Sequence, residues 1–511
     1  MTFHSILFES IDGRREGETV EAPAFFRDLN LDQIVQAITT GKEEYNLKPF
    51  FHTSLSSVDA VEHRHEILKD FQNELLLGHI RSFAQNMCAM RQQLARSGKV
   101  HYKYEKARWF LDAVETYCAA VNGLVHSLSH ADLKSRGLVA FRQYLSDYAD
   151  SDAFTSVATY TAKLKADLST VKYSVLIKGN CVKVRKYESE TDYSADVEET
   201  FAKFKQGAVK DYRVKAPAWP DLNHVEARIL DRVAQLYPDI FLDLDNFCTN
   251  NRNYLNETIA AFDREVQFYI AYLEYAAVFK RAGLKFCYPE VSDTCKEVYD
   301  YGGFDLALAH KLIRENSTVV CNDFHLKDEE RIFVVSGPNQ GGKSTFARTF
   351  GQIHYLASIG CAVPGKGAQL FLFDKLFTHF EREEDIKNLR GKLQDDLVRI
   401  HDILEQATSD SIIIMNEIFT STTLQDAIFL SERVMEKLIE LGLLTVWVTF
   451  IDELASFSEE IVSMVSTVVP ENPALRMYKI IRKPADGLSY AMSIAEKHGV
   501  TYKRLKERIK S

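Results

Sequence analysis

Four residues stand at a spacing that can hold a phosphate: Gly337, Gly342, Lys343 and Ser344 satisfy G-x-x-x-x-G-K-[ST] within RIFVVSGPNQGGKST, residues 331–345. In such a loop glycines let backbone N–H groups close around the β-phosphate. The lysine reaches the β- and γ-phosphates, and the hydroxyl after it can ligate magnesium. The candidate nucleotide-binding residues are therefore Gly337, Pro338, Asn339, Gln340, Gly341, Gly342, Lys343, Ser344 and Thr345, with Ser344 also a candidate metal ligand. A second pair, Asn416 and Glu417, closes the apolar run Ile412–Met415. A polar side chain at the carboxyl end of a buried parallel strand can hold magnesium through water, and a glutamate beside it can orient or deprotonate an attacking water. Glu417 is thus the candidate base, Lys343 the candidate charge-stabilising catalytic residue, and Asn416 the second candidate metal-side residue. Asparagine accepts the same hydrogen bond as aspartate but brings no charge, so weak magnesium affinity is expected.

The elements needed to position these groups can be read around them. Ile332–Val335 is an apolar, β-branched-rich run of strand type, and FARTFGQIHYLASIG after the loop is helix-like. Strand, loop and helix come in the order the motif requires, context that a glycine-rich turn alone would lack. The sequence therefore predicts a nucleoside triphosphate site.

A chain of 511 residues is too long for one core and should hold roughly two to four domains. Hydrophobic residues at 46% and charged residues at 26% are ordinary for a globular protein and argue against disorder. No apolar run approaches the roughly 20 residues of a membrane-spanning helix, and the N-terminus lacks a basic start followed by an apolar core, so a cytoplasmic protein with no membrane partner is expected. The eight cysteines (Cys88, Cys118, Cys181, Cys248, Cys287, Cys295, Cys321 and Cys361) form no C-x-x-C pair, which points to reduced thiols rather than zinc. A net charge of −10 tells against a histone-like nonspecific nucleic-acid binder.

From about Leu31 to Ala166 apolar residues recur every three or four positions, and no proline falls between Pro49 and Pro217, as suits long helices. Between Lys172 and Tyr193 the period changes to the alternation of a hairpin turning at Gly179-Asn180. Its lysines and arginine could contact a phosphate backbone, but the acidic run directly after it favours a solvated hairpin with charges paired across strands. Helical periodicity returns from Val225 to Lys285, expected as one long helix or an antiparallel pair forming a lever. Residues 288–326 read as a short connector ending in an apolar strand, STVVCNDFHL.

The loop and the residues after it, GPNQGGKSTFARTFGQIHYLASIGCAVPGKGAQL, resemble the ATPase domain of the MutS family of DNA mismatch repair proteins, whose loop reads GPNMGGKST. The similarity runs on through LFTHFEREEDI, NEIFTSTTLQDA (family DEIGRGTST), TVWVTFIDEL (ATHYFEL) and GLSYAMSIAEKHGV (SYGLAVAALAGV). It is strong from Phe333 to about Ile509 and weaker upstream, where SLSSVDAVEHRHEILKDF is similar to the family's core helices.

The resemblance implies an α/β ABC-type P-loop ATPase domain over residues 291–511 with a C-terminal helical dimerisation element. Before it would come a mainly α-helical core and lever domain over residues 1–290 that carries the hairpin insertion near 172–193. The resemblance also implies ATP and Mg2+ as cofactors, a homodimer sharing its nucleotides, and DNA as the enclosed partner in repair or recombination. The alternative is a nucleotide-controlled clamp on branched DNA or ribosomes with little ATP turnover. With no Phe-x-Glu motif near the start and a short stretch before Ser336, the mismatch-recognition and connector domains of full-length repair MutS are expected to be lacking, and with them direct mismatch recognition. Asn416 replaces the family's aspartate, Phe450 its histidine, and LRGKLQDDL (residues 389–397) its Ser-Thr-Phe signature, leaving the trans contact altered or carried by Lys392. Slow hydrolysis is the expected consequence.

Overall fold

The computed structural model describes residues 3–8, 21–191, 193–202, 221–381, 391–469, 472–485, 500–502 and 505–506. Its contacts divide the chain into two units: Asn73–Leu133 with Val139–Asp263, and Phe3–Gln72 with Lys134–Leu138 and Arg264–Ser511.

The first unit is helical, as its periodicity predicts. Glu74–Lys99 and Lys103–Ser129 lie against each other as a long pair, followed by Asp152–Ser169. Each start has a local cause. The Asn73 side chain accepts the Leu75 and Leu76 N–H groups, Ser151 accepts that of Phe154, and Asn223 with Glu226 forms a capping box. Stacked Phe141 and Phe262, with buried Tyr117 and Phe247, fill the interior. The hairpin pairs Tyr173–Lys178 with Cys181–Lys186 around Gly179-Asn180, Gly179 adopting φ +60°. Its charges do not pair across the strands: Leu176 faces Lys183 and Lys178 faces Cys181, while Arg185 reaches Glu190 at 2.8 Å. The stretch expected as one long helix or a pair is three helices, His224–Leu236, Pro238–Asn250 and Glu257–Arg281. Pro238 has no N–H to continue the first, and the asparagine-rich turn around residues 251–256 ends the second.

The second unit is built on a six-stranded sheet in the order Leu376–Phe380, Ile412–Asn416, Leu444–Val448, Ile332–Ser336, Ile461–Val469, Asn472–Arg482. The first five strands are parallel and the last is antiparallel. Their near-continuous apolar runs are those of strands covered on both faces, and Ile332–Val335 has no solvent exposure. The helix Lys343–Ser358 packs on this sheet, and Gly351 is needed there because a Cβ would sit 2.7 Å from Ile414 and Leu29 methyls. Its far end is held by fully buried Arg64, whose Nη1 donates to Ile359 O at 2.7 Å and whose Nε donates to Leu7 O at 3.1 Å.

A smaller four-stranded sheet comprises Glu290–Ser292, Gly367–Phe371, Val298–Gly303 and Asn322–Leu326. The apolar pair Val319-Val320, expected in its last strand, instead lies in irregular backbone before it. Most of the expected C-terminal helix–turn–helix (Ser493–Ser511), and Leu389 and Arg390 of the signature-equivalent segment, lie outside the described residues.

Candidate nucleotide site

Because the parallel strands run the same way, Ser336, Asn416 and Val448 end on one edge of the sheet, where the glycine-rich loop begins. Gly337 and Gly342 have φ of +112° and +93°, conformations in which a side chain would be strained, and Gln340 also turns left-handed. At Gly341 a Cβ would lie 2.2 Å from the Ser466 hydroxyl, which donates to Gly341 O at 2.7 Å. Ser466, on the neighbouring strand, therefore clamps the loop. No motif signals it, since the contact spans more than a hundred residues.

Lys343 opens the helix and is almost fully buried. Its ammonium donates to Gly337 O at 3.0 Å, Pro338 O at 3.3 Å and Asn339 Oδ1 at 3.4 Å. It also lies 3.8 Å from Glu417 Oε1 and 4.7 Å from the centre of the Phe450 ring. Burial lowers the Lys343 pKa while the Glu417 charge raises it, with Arg476 nearby lowering it further. Glu417 is raised by burial, with Lys343 acting against the shift and Glu381 reinforcing it. The two candidate catalytic residues, far apart in sequence, thus form a pair.

Glu417 is held at φ +55° by its N–H, which donates to Val448 O at 2.9 Å across the strand end. Asn416, one residue earlier, has a buried Oδ1 with no hydrogen-bond partner. An orphaned oxygen at this edge is one that a hydrated cation would satisfy, and with the Ser344 hydroxyl it offers the neutral oxygen donors compatible with magnesium. Ser344 and Thr345 occupy the first helical turn, partly exposed.

Beside the loop is a cavity of about 310 Å³ lined by Leu308, Leu312, Val319, Val320, Thr345 and Tyr478 and reaching Gly342. Asn322 fixes one wall, donating to Tyr478 O and accepting the Ile480 N–H. The apolar lining and the volume suit a ring-sized ligand next to a phosphate loop. The sequence does not announce this part of the site, because Val319-Val320 has a strand-like composition. Lys392, the candidate trans contact, pairs with Glu381 of its own chain. His379 and Asp396, also absent from the sequence-based site, meet at 3.4 Å behind this edge.

Residues 333–508 match the family model described as MutS domain V. The DNA mismatch repair protein MutS of Acetivibrio thermocellus is 28% identical over 289 residues, 55% of this chain and 32% of the relative. Residues 333–508 are a MutS-family domain. The MutS proteins of Orientia tsutsugamushi strain Boryong and Thermosipho melanesiensis are 30% identical over 221 residues and 31% identical over 189. These alignments cover 42% and 36% of this chain and 24% and 23% of those relatives. The chain thus spans about a quarter to a third of the curated MutS proteins it matches. The matched domain contains the phosphate loop, the Asn416-Glu417 pair and Phe450.

Proposed function

We propose that the MutS-family domain of this chain is an ABC-type P-loop ATPase that binds Mg-ATP in the loop Gly337–Thr345 and hydrolyses it slowly. The observation that carries this is the Lys343–Glu417 pair: a loop lysine and a carboxylate raised by burial meet at 3.8 Å on the sheet edge. In this reading the backbone N–H groups of Gly337, Asn339, Gly341 and Gly342 hold the phosphates, and Lys343 leaves its carbonyl partners to neutralise the γ-phosphate. Glu417 orients and deprotonates water. Base and sugar occupy the cavity beside Val319 and Tyr478. Ser344 and Asn416 hold magnesium, which supplies charge neutralisation when bound. Asn416 contributes no charge, and Phe450 shields the lysine where the resembling family has a histidine, hence the slow turnover.

The relatives are named DNA mismatch repair proteins, which supports DNA as the partner, in repair or recombination; a homodimer as the working form is part of the same proposal. The helical unit acts in this reading as core and lever. A cytoplasmic location belongs to the same proposal, and no described helix is long and apolar enough to cross a membrane. The neutral Asn416 and the shielded Lys343 favour one second reading, a clamp on branched DNA or ribosomes gated by nucleotide binding with little turnover. Steady-state phosphate release, with and without mismatched, branched and perfect duplex DNA and ribosomal RNA, separates the two: a polynucleotide-stimulated rate supports the ATPase, and nucleotide-dependent binding without release supports the clamp. Salt titration of each complex reports how many phosphates are neutralised.

A further inference from the structure

The last two strands of the large sheet, Ile461–Val469 and Asn472–Arg482, pair antiparallel, but their register slips beside the phosphate loop. Ser466 faces Ile480 and Val468 faces Arg476, so Thr467 alone stands against three residues, Met477, Tyr478 and Lys479. The Thr467 hydroxyl closes this bulge by donating to Lys479 O at 2.8 Å. Tyr478, at its centre, is held at φ +58°, a left-handed conformation that strains an aromatic residue. Bulges of this kind re-aim side chains beside sites, and strain persists where the surroundings impose it. Here Tyr478 lies against Gly342, where an added Cβ would meet the Tyr478 Cα at 3.7 Å. Two residues before it, Arg476 Nε donates to Asn339 O at 3.1 Å.

Asn339 carries this contact into the site. Its carbonyl accepts from Arg476, and its Oδ1 accepts from the Lys343 ammonium at 3.4 Å. The same strand pair thus holds two carbonyls of the loop, Asn339 O through Arg476 and Gly341 O through Ser466. In a trans peptide the N–H points opposite to the C=O, so fixing these carbonyls also fixes the direction of the Gln340 and Gly342 N–H groups. Successive N–H groups held in one direction are what cradles an anion. We infer that Arg476 is a positioning residue for the nucleotide: it holds Asn339, and through Asn339 it keeps Lys343 and the loop N–H groups in their phosphate-binding arrangement. This rests on the nucleotide reading above and adds to it a residue that the loop motif does not contain. The guanidinium also brings a second positive charge, felt at Lys343, to a loop whose ligand is an anion.

The test is calorimetric titration of Mg-ATP into the full chain and into Arg476→Ala, Arg476→Lys, Asn339→Ala and the Arg476→Ala/Asn339→Ala double variant, with a melting curve for each. Losing a charge-assisted hydrogen bond at this partly exposed position should weaken binding by about 10-fold in Arg476→Ala. A lysine keeps the charge and can donate to the same carbonyl, so Arg476→Lys should stay within about threefold of the wild type even if Arg476→Ala melts lower. The double variant should lose less than the product of the two single losses, because both substitutions break one chain of contacts. Three outcomes would overturn the inference while leaving the nucleotide site in place: Arg476→Ala binding as tightly as the wild type, Arg476→Lys binding as weakly as Arg476→Ala, or single losses that multiply fully in the double variant. A wild-type chain that takes up no Mg-ATP would overturn the nucleotide reading itself, and this inference with it.

Discussion

The Lys343 ammonium stands 3.8 Å from the Glu417 carboxylate, so the lysine that would bind phosphate is paired with the group that would activate water. Nucleotide entry has to separate them. Once Lys343 turns to phosphate, Glu417 loses the nearest cation, its pKa rises further, and it becomes a better proton acceptor. Glu417→Gln should therefore retain nucleotide and lower turnover by about 10²- to 10⁴-fold. A base works only when ionised, so the wild-type rate should rise with pH through the raised Glu417 pKa, and this limb should vanish in the variant. Phosphate-release rates measured from acid to mildly alkaline pH check both.

Asn416→Asp should place a charge beside the cation and lower the half-saturating magnesium concentration by about 3- to 10-fold. Its buried Oδ1 has no partner to lose in the exchange. Titrating magnesium into the nucleotide complex measures this, and an unchanged or higher midpoint would remove Asn416 from the metal side of the site.

The Phe450 ring centre lies 4.7 Å from the Lys343 ammonium and helps keep the lysine on its loop carbonyls. A cation–ring contact of about 0.5–1 kcal/mol corresponds to roughly 2- to 5-fold, so Phe450→Ala should speed nucleotide association by about that factor. Stopped-flow fluorescence with a labelled ATP reads the rate. An unchanged or slower rate would show that the ring does not restrain the lysine.

Asp300 makes a separate prediction about stability. Its carboxylate is fully buried so close to Gly303 and Gly365 that a Cβ at either would lie 2.2 Å from one of its oxygens. Burial drives its pKa up to about 8 and Asp323 reinforces the shift, with the Gly303 N–H acting against it. The unfolded chain releases this proton near pH 4 and the folded one only near pH 8. Stability contributed by the held proton is thus lost progressively as pH rises across that window and is level above it. Asp300→Asn removes the slope, so its melting temperature should gain on the wild type across the same window, by the equivalent of several kcal/mol at the upper end. Parallel melting curves for the two proteins would contradict this.

Much of the site was legible because its residues are local. Gly337 to Ser344 carry their spacing within one turn of chain, and Ile412–Asn416 announces a buried strand by composition. The hairpin showed itself through alternation and Gly179-Asn180. The hidden features depend on contacts between distant segments. Ser466 holding Gly341, Phe450 lying on Lys343, Arg64 fastening the end of the phosphate helix and Val319-Val320 lining the cavity each result from how strands and helices are brought together. Residues 225–285 mislead for a different reason: helical periodicity continues across the Pro238 and asparagine breaks, so three helices share one pattern.

The central claim, that Gly337–Thr345 holds the triphosphate through Lys343, is tested most directly by titrating the purified protein with ATP and magnesium in a calorimeter beside Lys343→Ala of equal melting temperature. The account predicts one site per chain in the wild type and at least about 100-fold weaker binding in the variant, because the lysine charge on the phosphates is lost. Equal affinity in the two proteins would contradict it.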